Sequence, residues 1–149
     1  MNRRLLAPCA RFAAWRWQDI FVDGGLYLRK LYLLRTPWFQ WTIHWIRKAD
    51  PGRDLHDHPS DFASVILRGG YIEERPTGWD LDDADRWIPR TERTYHKAPT
   101  ILYRNAEALH RIASVDAGTV TMVLWGRKRR KWGFQTPEGW RHWREVVNQ

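Results

Sequence analysis

Apolar residues in this chain come in short bursts, each closed by a glycine, proline or aspartate cluster, and that texture constrains the fold more than any other feature. Leu26–Leu34 stops at Thr36-Pro37, Phe39–Arg47 at Asp50-Pro51-Gly52, and Phe62–Leu67 at Gly69-Gly70. Leu109–Val115 and Thr119–Trp125 flank Asp116-Ala117-Gly118. Turns recurring every 8–12 residues are how an all-β barrel or sandwich presents itself, and the spacing predicts about eight to ten strands. A parallel α/β fold needs helices between the strands, and the pattern offers none. Eleven Trp, five Tyr and five Phe in 149 residues add large flat side chains suited to pleated, half-buried strands. That length forms one domain with a real core, and a hydrophobic share of 43% against 28% charged excludes a disordered chain.

Strand alternation sorts side chains onto two faces. In the second strand Trp41, Ile43 and Trp45 share one face, and Thr42, His44 and Ile46 the other. Gly69-Gly70 predicts that Tyr71–Glu74 turns back as the hairpin partner of Phe62–Leu67. The stretch from Pro76 to Asp85 reads as a polar loop, residues 86–89 and 94–97 as short strands, and Thr100–Arg104 as a better one. Leu109–Val115 and Thr119–Trp125 form a second expected hairpin. At the ends, residues 5–18 carry a weak helical period that suggests a short amphipathic segment against the barrel, closed by Asp23-Gly24-Gly25. Thr136 caps an expected helix over about 137–148, with Pro137 at its first position and Trp140, Trp143 and Val147 on one stripe docking on the sheet.

A net charge of +8 favours anionic partners: phosphorylated metabolites, nucleic acid or an acidic membrane surface. The run Arg127-Lys128-Arg129-Arg130-Lys131 between Gly126 and Gly133 reads first as a solvated hairpin turn, while Asp80, Asp82, Asp83 and Asp85 make an acidic patch. Cys9 is alone and forms no internal disulfide, which fits a reducing compartment. The segment Met1–Ala7 mimics the start of a secretory leader, but Arg11 interrupts its apolar run. No 18-residue apolar stretch exists, so the expectation is a cytoplasmic protein with no membrane span.

Chemistry concentrates at His56-Asp57-His58 and at His110. Residues two apart on a strand point the same way, so His56 and His58 project together, and His110 from a later strand completes a three-imidazole set for one divalent ion. Neutral imidazole suits Zn2+, Fe2+, Cu2+ and Ni2+, with Mn2+ a further candidate. Asp61, three residues after His58, is a candidate ligand or partner for an imidazole. His44 and His96 are candidates for the same cavity as proton shuttles or extra ligands, and Arg68, Tyr103 and Arg104 for holding an anionic substrate.

The order of turn, His-x-His, apolar strand, Gly-Gly and later strand histidine resembles the cupin superfamily over roughly residues 26–135. His56, His58 and Gly69 or Gly70 fit its first motif, G-x5-H-x-H-x3–4-E-x6-G, and His110 fits the histidine of the second, P-x-G-x2-H. The chain departs from it at Phe62 and Ala63, where the glutamate belongs, at Asn105 and Glu107, where Pro and Gly belong, and at Gly52, which sits too close to His56. Arg68-Gly69-Gly70-Tyr71 and the segment from Trp132 to Trp140 are similar to pieces of small stand-alone cupins. The resemblance implies an all-β double-stranded β-helix, the jelly-roll barrel, over one domain of residues 1–149. It also implies three-histidine ferrous iron, as in dioxygenases of the superfamily, acting on a small anionic molecule. Alternatives are a cupin that binds metal or a small ligand without catalysis, and a basic nucleic-acid-binding protein. Pairing of barrels through edge strands would give a homodimer.

Overall fold

Strand-forming residues fill twelve strands in a computed structural model that describes residues 16–22, 24–52 and 54–147. In chain order these are β1 (Trp17–Val22), β2 (Gly25–Arg35), β3 (Gln40–Ile46), β4 (Leu55–His56), β5 (Phe62–Arg68) and β6 (Gly70–Leu81). They continue as β7 (Trp87–Lys97), β8 (Thr100–Arg104), β9 (Arg111–Val115), β10 (Thr119–Trp125), β11 (Gly133–Thr136) and β12 (Gly139–His142), followed by a short helix α1 (Trp143–Val147). Among the described residues no helix is long and apolar enough to cross a membrane. The expected N-terminal segment over 5–18 lies outside the described residues as far as residue 15, and Gln18 already belongs to β1, paired with Lys30.

One layer is a sheet of order β1-β2-β3-β10-β5-β8, antiparallel throughout. Opposite it run two three-stranded ladders, β7-β6-β9 and β12-β11-β4. An antiparallel bridge joins them: His56 N donates to His110 O at 2.9 Å and His110 N to His56 O at 3.0 Å. The architecture is an all-β jelly roll.

Both expected hairpins open into crossovers. β5 pairs with β10 and β8, while β6 pairs with β7 and β9, so Gly69-Gly70 carries the chain from one layer to the other. The Asp116-Ala117-Gly118 turn does the same between β9 and β10. The two crossings are tied together: Asp116 N donates to Gly70 O at 2.9 Å, and Gly70 N to the Thr119 hydroxyl at 3.1 Å. Gly69 has φ +70°, and a Cβ there would lie 2.5 Å from Thr119 Oγ1. A turn signal records a reversal of direction but not whether the strands hydrogen-bond or face each other across a core, and here burying both apolar faces requires the latter.

Further along, the expected loop from Pro76 to Asp85 and the two short strands after it form a single long hairpin, β6–β7. Its ladder is stitched by cross-strand pairs, Asp80 with Arg90 and Glu74 with Thr91 and Arg93, and Asp82 closes the turn on the backbone of Ala84 and Arg86, both at 2.9 Å. At the C-terminus the expected helix over 137–148 shrinks to Trp143–Val147, because Gly139 at φ +112° turns the chain into the β11–β12 hairpin. Gly133 allows that pairing to close, since a Cβ would stand 2.0 Å from Arg141 O. Trp132 then stacks on Trp143 with ring centres 5.7 Å apart.

Inside the barrel, Leu28, Ile46, Ile66 and Tyr71 form the apolar core, with Ile20, Ile112 and Val115 against it. Beyond them the inward positions of the six-stranded sheet turn polar: Lys30 from β2, Thr42 and His44 from β3, Thr121 from β10 and Ser64 from β5. Trp41, Leu67, Ile101, Tyr103 and Leu124 stand exposed on the outside of that sheet.

Candidate metal centre

Leu55-His56 forms only one short strand pairing, with β11, and the chain then bends so that His58 leaves the ladder. Asp57 between them points the other way and is 2% exposed. It accepts hydrogen bonds from Gly133 N at 2.8 Å, Trp140 Nε1 at 2.9 Å and Arg130 at 2.5 Å. His58 N donates to Ala106 O at 2.9 Å. These bonds clamp the backbone on both sides of Asp57, and strand alternation then turns both flanking imidazoles inward. His110 arrives opposite His56 through the bridge that joins the two ladders.

The structure brings His56, His58 and His110 together, with one ligand nitrogen of each within 4.8 Å of the others. Their ring centres lie 5.0 to 5.1 Å apart. His58 Nε2 and His110 Nε2 are 2.7 Å apart, and His56 Nδ1 is buried with no hydrogen-bond partner, the Asp50 carboxylate being 3.8 Å away. Burial holds His56 down at about 4 against the opposing pull of the Asp50 carboxylate, and burial followed by its histidine neighbours holds His58 well below the usual imidazole range. Three imidazoles that share one mutual hydrogen bond and leave a buried nitrogen unpaired are poorly satisfied by the protein alone; an orphan of this kind costs about 1–3 kcal/mol. The donors fit a divalent ion, because neutral imidazole is the ligating form and two of the three are kept neutral.

Glu73, which the sequence pattern did not single out, completes the centre. It sits on β6, is 2% exposed, and its Oε1 lies 2.8 Å from His110 Nδ1. Arg104 donates to both carboxylate oxygens and His96 Nε2 lies 3.0 Å from Oε2. Burial pushes the Glu73 carboxyl up, but the bonds to His110 and Arg104 outweigh it and hold the group well below the usual carboxylate range. A carboxylate on Nδ1–H fixes the tautomer that frees Nε2 for a metal. Glu73 could have been suspected as an acidic residue on the far side of Gly69-Gly70, where a strand begins, but nothing in its local pattern separates it from Glu74, which binds Thr91, Arg93 and Arg111.

The other candidates fall elsewhere. Asp61 stays out of the cluster: its carboxylate takes Ala106 N at 2.7 Å and Arg129 at 2.7 Å. Arg104 and His96 are engaged by Glu73 and so support the centre from behind, not from a substrate face. Tyr103 is 63% exposed on the outer face and Arg68 lies by Gly118 at the far end of β5. His44 does face the interior, hydrogen-bonded to Thr42 Oγ1 at 3.0 Å, and its ring centre lies 6.1 Å from that of Trp125. Phe62 and Trp125 pack on His58 at 4.8 and 5.4 Å, and Phe134 on His56 at 5.8 Å, giving the centre an aromatic wall. The basic run is not a free turn, since Arg129 pairs with Glu107 and Asp61, and Arg130 with Asp57.

A six-stranded sheet facing two ladders joined at a histidine bridge, with imidazoles turned inward from both sides of that bridge, places the chain among known structures. The chain has the cupin fold. KdgF from a Halomonas species superposes with a TM-score of 0.52 over 76% of this chain and 88% of its own, at 13% identity. A Streptomyces PAC13 variant solved with uridine gives 0.51 over 86% and 84%, at 7% identity. Fe(II)-HppE with an alternative substrate gives 0.52 over 74% of this chain and 54% of that one, at 10% identity. No protein-family model matches the sequence, and no curated protein does. The cupin fold was expected from the motifs; at these identities the neighbours speak to fold alone.

Proposed function

We propose that this cupin is a metal-dependent enzyme with nonhaem iron dioxygenase-type chemistry on a small anionic molecule. The observation that carries the reading is the convergence of His56, His58 and His110 on one buried point, with Glu73 aligned behind His110. His56, His58 and His110 would hold a divalent ion, Fe2+ in this reading, which would supply oxygen activation or Lewis-acid polarisation when bound. The chain does the rest. Glu73 orients His110 and is itself held by Arg104 and His96, so the imidazole cannot rotate away. Asp57 fixes the turn that presents His56 and His58. Phe62, Trp125 and Phe134 exclude water from one side of the centre, which strengthens electrostatic interactions there. HppE, a protein of the same fold, was solved in its Fe(II) form, which lends support at the level of fold.

Anaerobic loading with Fe2+ and, separately, Zn2+, followed by elemental analysis, tests the reading. About one equivalent per chain is expected for wild type, with most of it lost in His58→Ala; retention below about a third of an equivalent by wild type rejects it. Oxygen uptake by the iron-loaded protein with a panel of small organic acids tests the chemistry. Metal and ligand binding with no uptake across the panel assigns the chain to the non-catalytic alternative.

A further inference from the structure

Lysine inside a sheet is unusual unless it is paired or its ammonium reaches water. Lys30 points inward from β2, in register with His44 on β3, and His44 is in turn in register with Thr121 on β10. Its ammonium makes no hydrogen bond or ion pair with any described residue, and it stands on the same face of β2 as Leu28 of the core, so it looks into the same interior as His44. Across the inner face of the same sheet the wall is polar where a core would be apolar. Thr121 and Ser64 are 2% and 4% exposed, and neither hydroxyl has a hydrogen-bond partner among the described residues. No carboxylate is offered to Lys30 from its neighbours on β1 or β3, which present Gln18 and His44. A lone cation on a wall that also carries unspent hydroxyls is complementary to an anion.

We propose that Lys30, beside His44 and on the inner wall that also carries Thr121 and Ser64, is the anion-receiving subsite of the barrel, so that a substrate carboxylate or phosphate sits on Lys30 while the rest of the molecule reaches toward the three histidines. This deepens the metal-dependent reading, on which it rests for the second half of that statement, and it replaces Arg68, Tyr103 and Arg104 as the anion contact. Burial, with Lys128 adding to it, lowers the Lys30 ammonium to about 8, so it still carries charge at neutral pH, and an arriving anion would restore it.

The test titrates acetate and inorganic phosphate, with neutral acetamide as control, into metal-free protein near neutral pH, following the indole N–H resonances by NMR. Trp125 is the local reporter, because its Nε1 donates to Thr42 in the same wall. Wild type should saturate with one or both anions and shift the Trp125 signal; Lys30→Met and Lys30→Gln should each weaken the response at least about tenfold, the loss expected for one charge-assisted bond. Zinc affinity by chelator competition should stay within about threefold of wild type in both variants. Anion affinity unchanged in two folded variants, or saturation that leaves Trp125 unmoved, overturns the subsite. Failure of wild type to hold zinc while the anion result stands removes the metal reading and leaves the anion site.

Discussion

Glu73 Oε1 lies 2.8 Å from His110 Nδ1, and the same carboxylate is gripped by Arg104, so one buried acid links the metal centre to a guanidinium behind it. Glu73→Gln keeps the shape but removes the charge that both partners answer. Metal affinity is expected to fall about 10–100-fold. Unfolding free energy should fall by about 3–5 kcal/mol, since Arg104 is left as an uncompensated charge in a largely buried place. Chelator competition and urea unfolding measure the two effects separately.

Asp57 plays the corresponding role for the other two histidines without touching them. Asp57→Asn loses the Arg130 ion pair and is expected to cost about 3 kcal/mol, with a parallel loss of zinc binding because the turn presenting His56 and His58 loosens. Trp140→Phe removes one neutral donor to the same carboxylate and should cost only about 1 kcal/mol. Lys131→Ala, on an exposed part of the same basic run, should stay within about 0.5 kcal/mol.

Lys30 gives the pH prediction. Its folded value of about 8 is below the ordinary lysine value, so between the two the unfolded chain holds the proton more tightly. Stability of the metal-free protein therefore rises with pH through that window, and below about 8 the penalty of the buried charge is fully present. The titratable groups that face it are His44, His58 and Lys128. Lys30→Met should be more stable than wild type near neutral pH by an amount on the order of 3 kcal/mol, and the difference should shrink by about pH 9.5. Urea unfolding of both proteins across this range checks it; a difference that does not change with pH contradicts the assignment.

Gly69→Ala tests the layer crossing. The φ of +70° and the approach of Thr119 both oppose a side chain, and a loss of about 2 kcal/mol is expected. Gly24→Ala, at the same φ with open space around it, should cost about 1 kcal/mol. Thermal or chemical unfolding of the pair separates steric conflict from backbone strain.

Much of this protein was legible before the fold. Turn-punctuated strands and the His-x-His spacing pointed to an all-β barrel or sandwich with histidines 56, 58 and 110 as its chemical centre, because alternation on a strand is a local rule that a run of residues carries with it, and the resemblance to cupins narrowed this to a jelly roll. Partnership was another matter. The turns at Gly69-Gly70 and Asp116-Ala117-Gly118 looked like hairpins, and Glu73 looked like any surface acid, since which strand lies beside or across from another is set by burial of both layers together.

The clearest case is β3. Its sequence divides Trp41, Ile43 and Trp45 from Thr42, His44 and Ile46, and hydrophobicity alone would send the tryptophans inward. The structure does the reverse: Thr42 and His44 are buried and Trp41 is exposed. Periodicity by itself determined that the strand has two unlike faces; only the closing of two layers decided which face looks in, because burial is set by what the inward residues meet across the sheet, and here Thr42 and His44 meet hydrogen-bond partners inside while Trp41 does not enter the core.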